Sequence, residues 1–195
     1  MPVIVKATTD SRDRMVRSAA VLFRERGYSG TGFRDVIAHS GAPRGSIYHH
    51  FPGGKAELAE EAVRYAADVV LARLERAGEG GDAVAALRAY LDGWRRQLER
   101  TGFSAGCPIV AVAIEPHESP GVTEAVAEAF ARWEDLLARL LRDSGIGRAR
   151  AARLASTIVA AVEGAIVLCR ARRDTMPLDD VGRELEAAIR SAQDR

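Results

Sequence analysis

Almost everywhere along this chain the apolar residues recur with the period of an α-helix, and no two segments alternate as a pair of strands would. That single pattern predicts an all-α fold of about nine helices. Asp10 or Ser11 is placed to cap a first helix, with Met15, Ala19, Leu22 and Phe23 on one face and Gly27 as its stop. Thr31 or Gly32 opens a short second helix that turns Phe33, Val36 and Ile37 inward and ends at Gly41. Pro43 suits the first turn of a third helix, over residues 43–50, because its missing N–H would be unpaired there in any case. After Phe51-Pro52-Gly53-Gly54, which is turn chemistry, a long fourth helix begins near Lys55 with Leu58, Ala62, Tyr65 and Val69 on one face.

Asp82 follows a glycine-rich break and caps a fifth helix carrying Val84, Leu87, Leu91, Trp94 and Leu98. "CPIVAVAIE", from Cys107 to Glu115, has the β-branched content of a buried strand but lacks any strand to pair with, so it is read as helix. Ser119 and Pro120 form a cap and first turn for a helix with Val122, Val126, Phe130, Trp133, Leu137 and Leu140 inward. Arg148–Arg172 and Leu178–Ala192 complete the series. From Thr157 to Cys169 the penultimate helix is apolar on nearly every side, interrupted by Glu163. A helix apolar all round must be buried all round, and one near the end of a small bundle needs more cover than its own chain supplies. Together with the stripe Leu178, Val181, Leu185 and Ile189, it predicts a four-helix interface between two copies.

Charge is divided unevenly. Residues 1–56 hold nine cations and four acids, or +5, whereas the remainder holds nineteen cations and twenty-three acids, or −4. A basic first part in a chain of net charge +1 points to a polyanionic partner for that part. No apolar run is read as reaching the roughly 20 residues that span a bilayer. "MPVIV" is too short for a secretory core, and Cys107 and Cys169 have no metal-ligand spacing, so a cytoplasmic protein with reduced thiols is expected.

The densest chemistry lies in "GAPRGSIYHHFPGGKAEL", Gly41 to Leu58. A phosphate-binding loop would need glycine where His49 stands and Ser or Thr where Ala56 stands, and a strand before it. A metal site is equally ill-served, because adjacent helical residues such as His49 and His50 diverge by about 100°. Neither a metal nor a cofactor is expected. What fits is two short helices joined by a glycine turn on a longer first helix, the helix-turn-helix arrangement, in the basic part of the chain. Its second helix would present Arg44, Ser46, Tyr48 and His49 outward with Ile47 and Phe51 inward. Gly45 would allow close approach to a DNA backbone, and Lys55 at a helix N-terminus would clamp a phosphate.

These residues carry a resemblance. "AAVLFRERGYSGTGFRDVIAHSGAPRGSIYHHFPGGKAEL" is similar to the DNA-binding domain of the TetR family of bacterial transcriptional regulators, and "GAPRGSIYHHFPGGK" with "GCPIVAVAIE" resembles the LmrA/YxaF-type branch. Ser40, and Ala42-Pro43 in place of Val-Ser, depart from the family's commoner residues. The resemblance implies an N-terminal arm (1–10), a DNA-binding domain (11–56) and a helical ligand-binding and dimerisation domain (57–195). It implies a homodimeric repressor of a palindromic operator, paired through residues 151–172 and 178–192 and released by a small hydrophobic or amphipathic ligand. Within that frame Arg44 is the expected base reader, since a guanidinium can bridge guanine O6 and N7. Thr31, Arg34, Ser46, Tyr48, His49 and Lys55 are expected at phosphates. Tyr65, Tyr90, Trp94, Phe103, Cys107, His117, Phe130, Trp133 and Glu163 are the expected ligand-pocket residues.

Two other readings remain open on the residues alone. One is an enzyme built on Cys107, Glu115 and His117, although their spacing matches no nucleophile–base pair. The other is an architectural protein that coats DNA without regard to sequence.

Overall fold

The computed structural model describes residues 4–43 and 45–194, and among them finds nine α-helices and no strand. They are α1 (Ile4–Arg26), α2 (Phe33–Ser40), α3 (Ser46–His50), α4 (Gly54–Gly78), α5 (Ala83–Arg100), α6 (Pro108–Ala113), α7 (Pro120–Asp143), α8 (Arg148–Arg172) and α9 (Met176–Gln193). The ambiguous "CPIVAVAIE" segment is helical, as expected. Two expectations are corrected. α1 already runs from Ile4, so residues 4–10 belong to a helix and not to an arm. α3 starts at Ser46, because Pro43 closes a turn in which the Ser46 amide and hydroxyl both donate to its carbonyl, at 3.0 and 2.7 Å.

The chain forms two compact units, one of residues up to Ala66 with Pro108–Ala129, the other of Ala67–Cys107 with Phe130 onward. The chain thus passes from one unit to the other inside α4, in the loop before α6, and inside α7. In the first unit α2, α3 and α6 all pack on α1. Met15, Ala19, Leu22 and Phe23 make the α1 face of that core, each at most 1% exposed, and Ile47, Phe51 and Ile109 close on it. Burying each of these larger side chains stabilises by about 1.5–3 kcal/mol. α6, which the sequence reading placed with the second domain, belongs to this unit because its apolar Ile109 and Val112 are completely buried there.

In the second unit α5 and α8 pack on each other and both pack on α9. Asp82 caps α5 through its carboxylate, which accepts from the Val84 and Ala85 amides at 2.8 and 3.2 Å. Trp133 of α7 is 1% exposed and donates its indole N–H to the Ala67 carbonyl at 3.2 Å. The stripe of α9 is consumed within the chain, with Leu178, Leu185 and Ile189 all buried. Arg88 of α5 and Glu186 of α9 form a bidentate pair at 2.7 and 2.5 Å, and Arg95 pairs with Asp179.

α8 corrects the membrane expectation. Its length and composition would suffice to cross a bilayer, and 39% of its most apolar window is buried within the chain. Val167 and Leu168 of this helix and Met176 at the start of α9 stay exposed, at 52%, 45% and 56%.

Candidate nucleic-acid interface and effector pocket

Positions around α3 are fixed by two turns. Gly41 ends α2 in the left-handed region, with φ of 66° and its N–H on the Ile37 carbonyl at 3.1 Å, and so redirects the chain. Phe51 then anchors the far end of α3, 1% exposed with Arg12 stacked 5.1 Å from its ring. Between these anchors Ile47 is buried and Tyr48 and His49 point outward. Tyr48 is 68% exposed, its ring braced edge-on against Phe33 at 5.5 Å, so a phenol is held rigidly out from the unit. Arg34 is exposed on α2. Gly45 faces open space, a methyl group there meeting nothing within 4 Å. Arg44 lies outside the described residues.

Three expected phosphate contacts sit differently from the sequence reading. Thr31 is 1% exposed, and its hydroxyl donates to the Gly27 carbonyl at 2.9 Å. It ties off the end of α1 and is withdrawn from the exposed set. The Ser46 hydroxyl is engaged in the turn with Pro43. Lys55 folds inward over Tyr28, its Nζ 4.2 Å from the ring centroid. Partial burial lowers its pKa against the opposing pull of Glu115 and Asp35, so its charge is shared with the unit. Beside it, burial and the charges of His49 and Arg12 lower the pKa of His50.

Glu115 was not expected to belong to this region. Its two carboxylate oxygens accept the Tyr28 and Ser29 amides at 2.8 and 2.7 Å, where the chain leaves α1. Burial alone would raise its pKa, but the hydrogen bonds from Ser29 and Tyr28 and the charge of Lys55 hold it below the ordinary value. The carboxylate comes so close because Gly27 has no side chain: a Cβ there would sit 2.1 Å from Oε1. Gly27 also adopts φ of 80°, which glycine tolerates best.

The expected ligand residues are divided between the two units. Tyr65 and His117 belong to the first unit, where Arg17 stacks on Tyr65 and His117 meets Tyr28 edge-on at 6.1 Å. Trp133 is core, and Phe130 packs against it at 5.7 Å. Phe103 takes a left-handed turn after α5, with φ of 62°. Tyr90 and Trp94 do come together, 6.5 Å apart, in the wall of a cavity of about 490 Å³ in the second unit. The sequence reading missed four arginines in the same wall, Arg73 and Arg76 of α4 with Arg96 and Arg100 of α5. Close to Tyr90, Glu163 is 9% exposed, and burial raises its pKa to about 7 while the Cys107 thiol pulls it partly back. The residues of the enzyme reading are divided between the two units. Cys107 is buried in the second unit, and Glu115 is committed to backbone amides of the first.

A short exposed helix, set by a glycine turn on a buried three-helix core and followed by a second helical unit, defines a helix-turn-helix transcriptional regulator. Residues 16–62 match the family of bacterial regulatory proteins of the tetR type, and residues 83–184 match the C-terminal domain of LmrA/YxaF-like transcriptional regulators. The chain therefore belongs to the TetR family, in its LmrA/YxaF-like branch. It is similar to an HTH-type transcriptional regulator of Mycobacterium tuberculosis, with 48% identity over 89% of this chain and 91% of that one. It is 34% identical to the HTH-type transcriptional regulator LmrA of Bacillus subtilis, over 87% of this chain and 91% of LmrA. The crystal structure of a TetR transcriptional regulator from Chloroflexus aurantiacus superposes with a TM-score of 0.77 at 32% identity, covering 95% and 96% of the two chains. Its relatives are regulators of transcription, a class that works by binding DNA and not by catalysis.

Proposed function

We propose that this regulator is a cytoplasmic homodimeric repressor that reads a palindromic operator and lets go when a small molecule occupies its second unit. The observation that carries the proposal is the uncovered apolar surface of Val167, Leu168 and Met176 on α8 and α9. A helix that apolar gains by burial, and a second copy offers the same surface in return through a two-fold axis. Two copies of α3 would then address successive major grooves about 34–36 Å apart or more. In this reading residues 11–56 are the DNA-reading part and 57–195 the responding part. Arg44 reads a base, while Arg34, Tyr48, His49 and Lys55 hold phosphates and set register.

Sedimentation of the purified chain, alone and with duplexes from its own promoter, tests the proposal. The expected result is a dimer that binds palindromic duplexes selectively and represses a reporter placed behind them. Replacing Val167 and Leu168 with glutamate should give a monomer that loses operator binding. A stable wild-type monomer, or binding indifferent to sequence, overturns it in favour of an architectural DNA-coating protein.

A further inference from the structure

The second unit contains a concentration of positive charge that its own acids do not answer. Several arginines of this unit find carboxylates: Arg88 with Glu186, Arg95 with Asp92 and Asp179, Arg132 with Asp68. Arg73, Arg76, Arg96 and Arg100 stand together instead. All four are exposed, all four line the cavity of about 490 Å³, and among the described residues none has a carboxylate within ion-pair distance. Arg100 donates to the neutral Gln97 side chain at 2.9 Å and to the Arg96 carbonyl at 3.2 Å, contacts that aim its guanidinium without neutralising it. Four cations around one concavity repel one another and raise the local potential, a cost that a bound anion removes.

Beside the arginines, Tyr90 and Trp94 share the wall with Val70, Ala77, Ala89 and Gly93. Tyr90 and Trp94 meet edge-to-face, a pair that offers ring surface to a planar guest. Gly93 lies between these helix neighbours in the interior of α5, where glycine is less favourable than alanine by about 1 kcal/mol. Its backbone does not require it, since it lacks a positive φ, and a Cβ there would meet nothing within 4 Å. Space is what it supplies.

We infer that this cavity binds a small aromatic anion, a carboxylate, sulfonate or phosphate on a planar ring system, with the arginines on the anionic group and Tyr90 and Trp94 on the rings. The volume lies within the roughly 300–1,000 Å³ of small-molecule sites. The inference rests on the effector-release reading for its biological meaning and adds to it the charge and shape of the ligand.

The experiment titrates the full-length protein with 1-anilinonaphthalene-8-sulfonate and with N-phenyl-1-naphthylamine, which share their rings but differ in charge, and follows operator binding in parallel. The sulfonate should bind at least about tenfold more tightly, the scale of one charge-assisted contact, and the preference should shrink as salt rises. Arg73→Gln combined with Arg96→Gln should abolish the preference while leaving the thermal midpoint unchanged. Gly93→Leu, which fills the space and keeps every charge, should weaken both probes. Equal affinities, or a preference that survives the arginine substitutions, overturns the inference. A neutral probe that binds better and releases the operator overturns the anion site and upholds the effector reading. A sulfonate preference with operator affinity unmoved upholds the anion site and overturns effector release.

Discussion

The carboxylate of Glu115 accepts the amide of Tyr28 at 2.8 Å across 87 residues of sequence, and with the neighbouring Ser29 contact it closes the corner between α1 and α2. Charge-assisted hydrogen bonds contribute about 1.5–3 kcal/mol when buried and less where solvent reaches them. Glu115→Ala should therefore destabilise the protein by about 1–3 kcal/mol and weaken operator binding. Amide hydrogen exchange at Tyr28 and Ser29 should accelerate, whereas an unchanged exchange rate would refute the contact's role in solution.

The same carboxylate sets an acid limit. Its folded pKa lies below the ordinary 4.5, so it stabilises the fold above that value and ceases to do so as pH falls through its folded pKa. Denaturation measured between pH 6 and 3 should show a loss in the wild type that Glu115→Ala does not share.

Gly27→Ala should be destabilising on two counts, a left-handed backbone and a Cβ placed where Oε1 of Glu115 now lies. The second count vanishes if the carboxylate is already gone. A double-mutant cycle with Glu115→Ala should thus fall short of additivity by about 1 kcal/mol or more. Strict additivity in urea denaturation would show that the two positions do not meet.

Glu163 has the opposite pH dependence. With its pKa raised from 4.5 to about 7, it is neutral in the fold where the unfolded chain ionises, so the wild type loses stability as pH rises between those values. Glu163→Gln should match the wild type near pH 4 and exceed it by about 3 kcal/mol at pH 8. Thermal midpoints across that range check the sign.

On the proposed DNA face, Arg34→Ala and Lys55→Ala should each flatten the salt dependence of operator binding by about 0.9 per subunit. Tyr48→Ala should weaken binding with no change in stability, since the side chain is 68% exposed. Thr31→Val should do the reverse, lowering stability by about 1 kcal/mol while the salt slope stays put. Fluorescence anisotropy over a salt series, beside urea denaturation, separates these cases.

What could be read directly from the residues was whatever depended on near neighbours. α8 has the expected limits because its charge-flanked apolar run begins after Gly147 and ends in arginines. Asp82 caps α5 as its side-chain chemistry suggested. α3 proved shorter than expected, since Pro43 fits a tight turn as well as a helix start and the Ser46 hydroxyl selects the turn. Thr31 was misjudged because a sequence displays a hydroxyl but not the carbonyl waiting four residues back. Glu115 and the arginine-lined cavity were out of reach for a different reason. Arg73 and Arg76, and likewise Arg96 and Arg100, show helical spacing on their own segments, but only the fold brings the two pairs to one cavity wall.

A side-chain-free Gly27 facing Glu115 also bears on how such regulators can be recombined. A chimera that transplants the DNA-reading head alone, cut near residue 56, leaves behind the acid that locks its corner, and the graft would arrive with two backbone amides unsatisfied. The transferable cassette is discontinuous: the head must travel with the segment around Glu115, or the recipient must already supply a carboxylate at that spot.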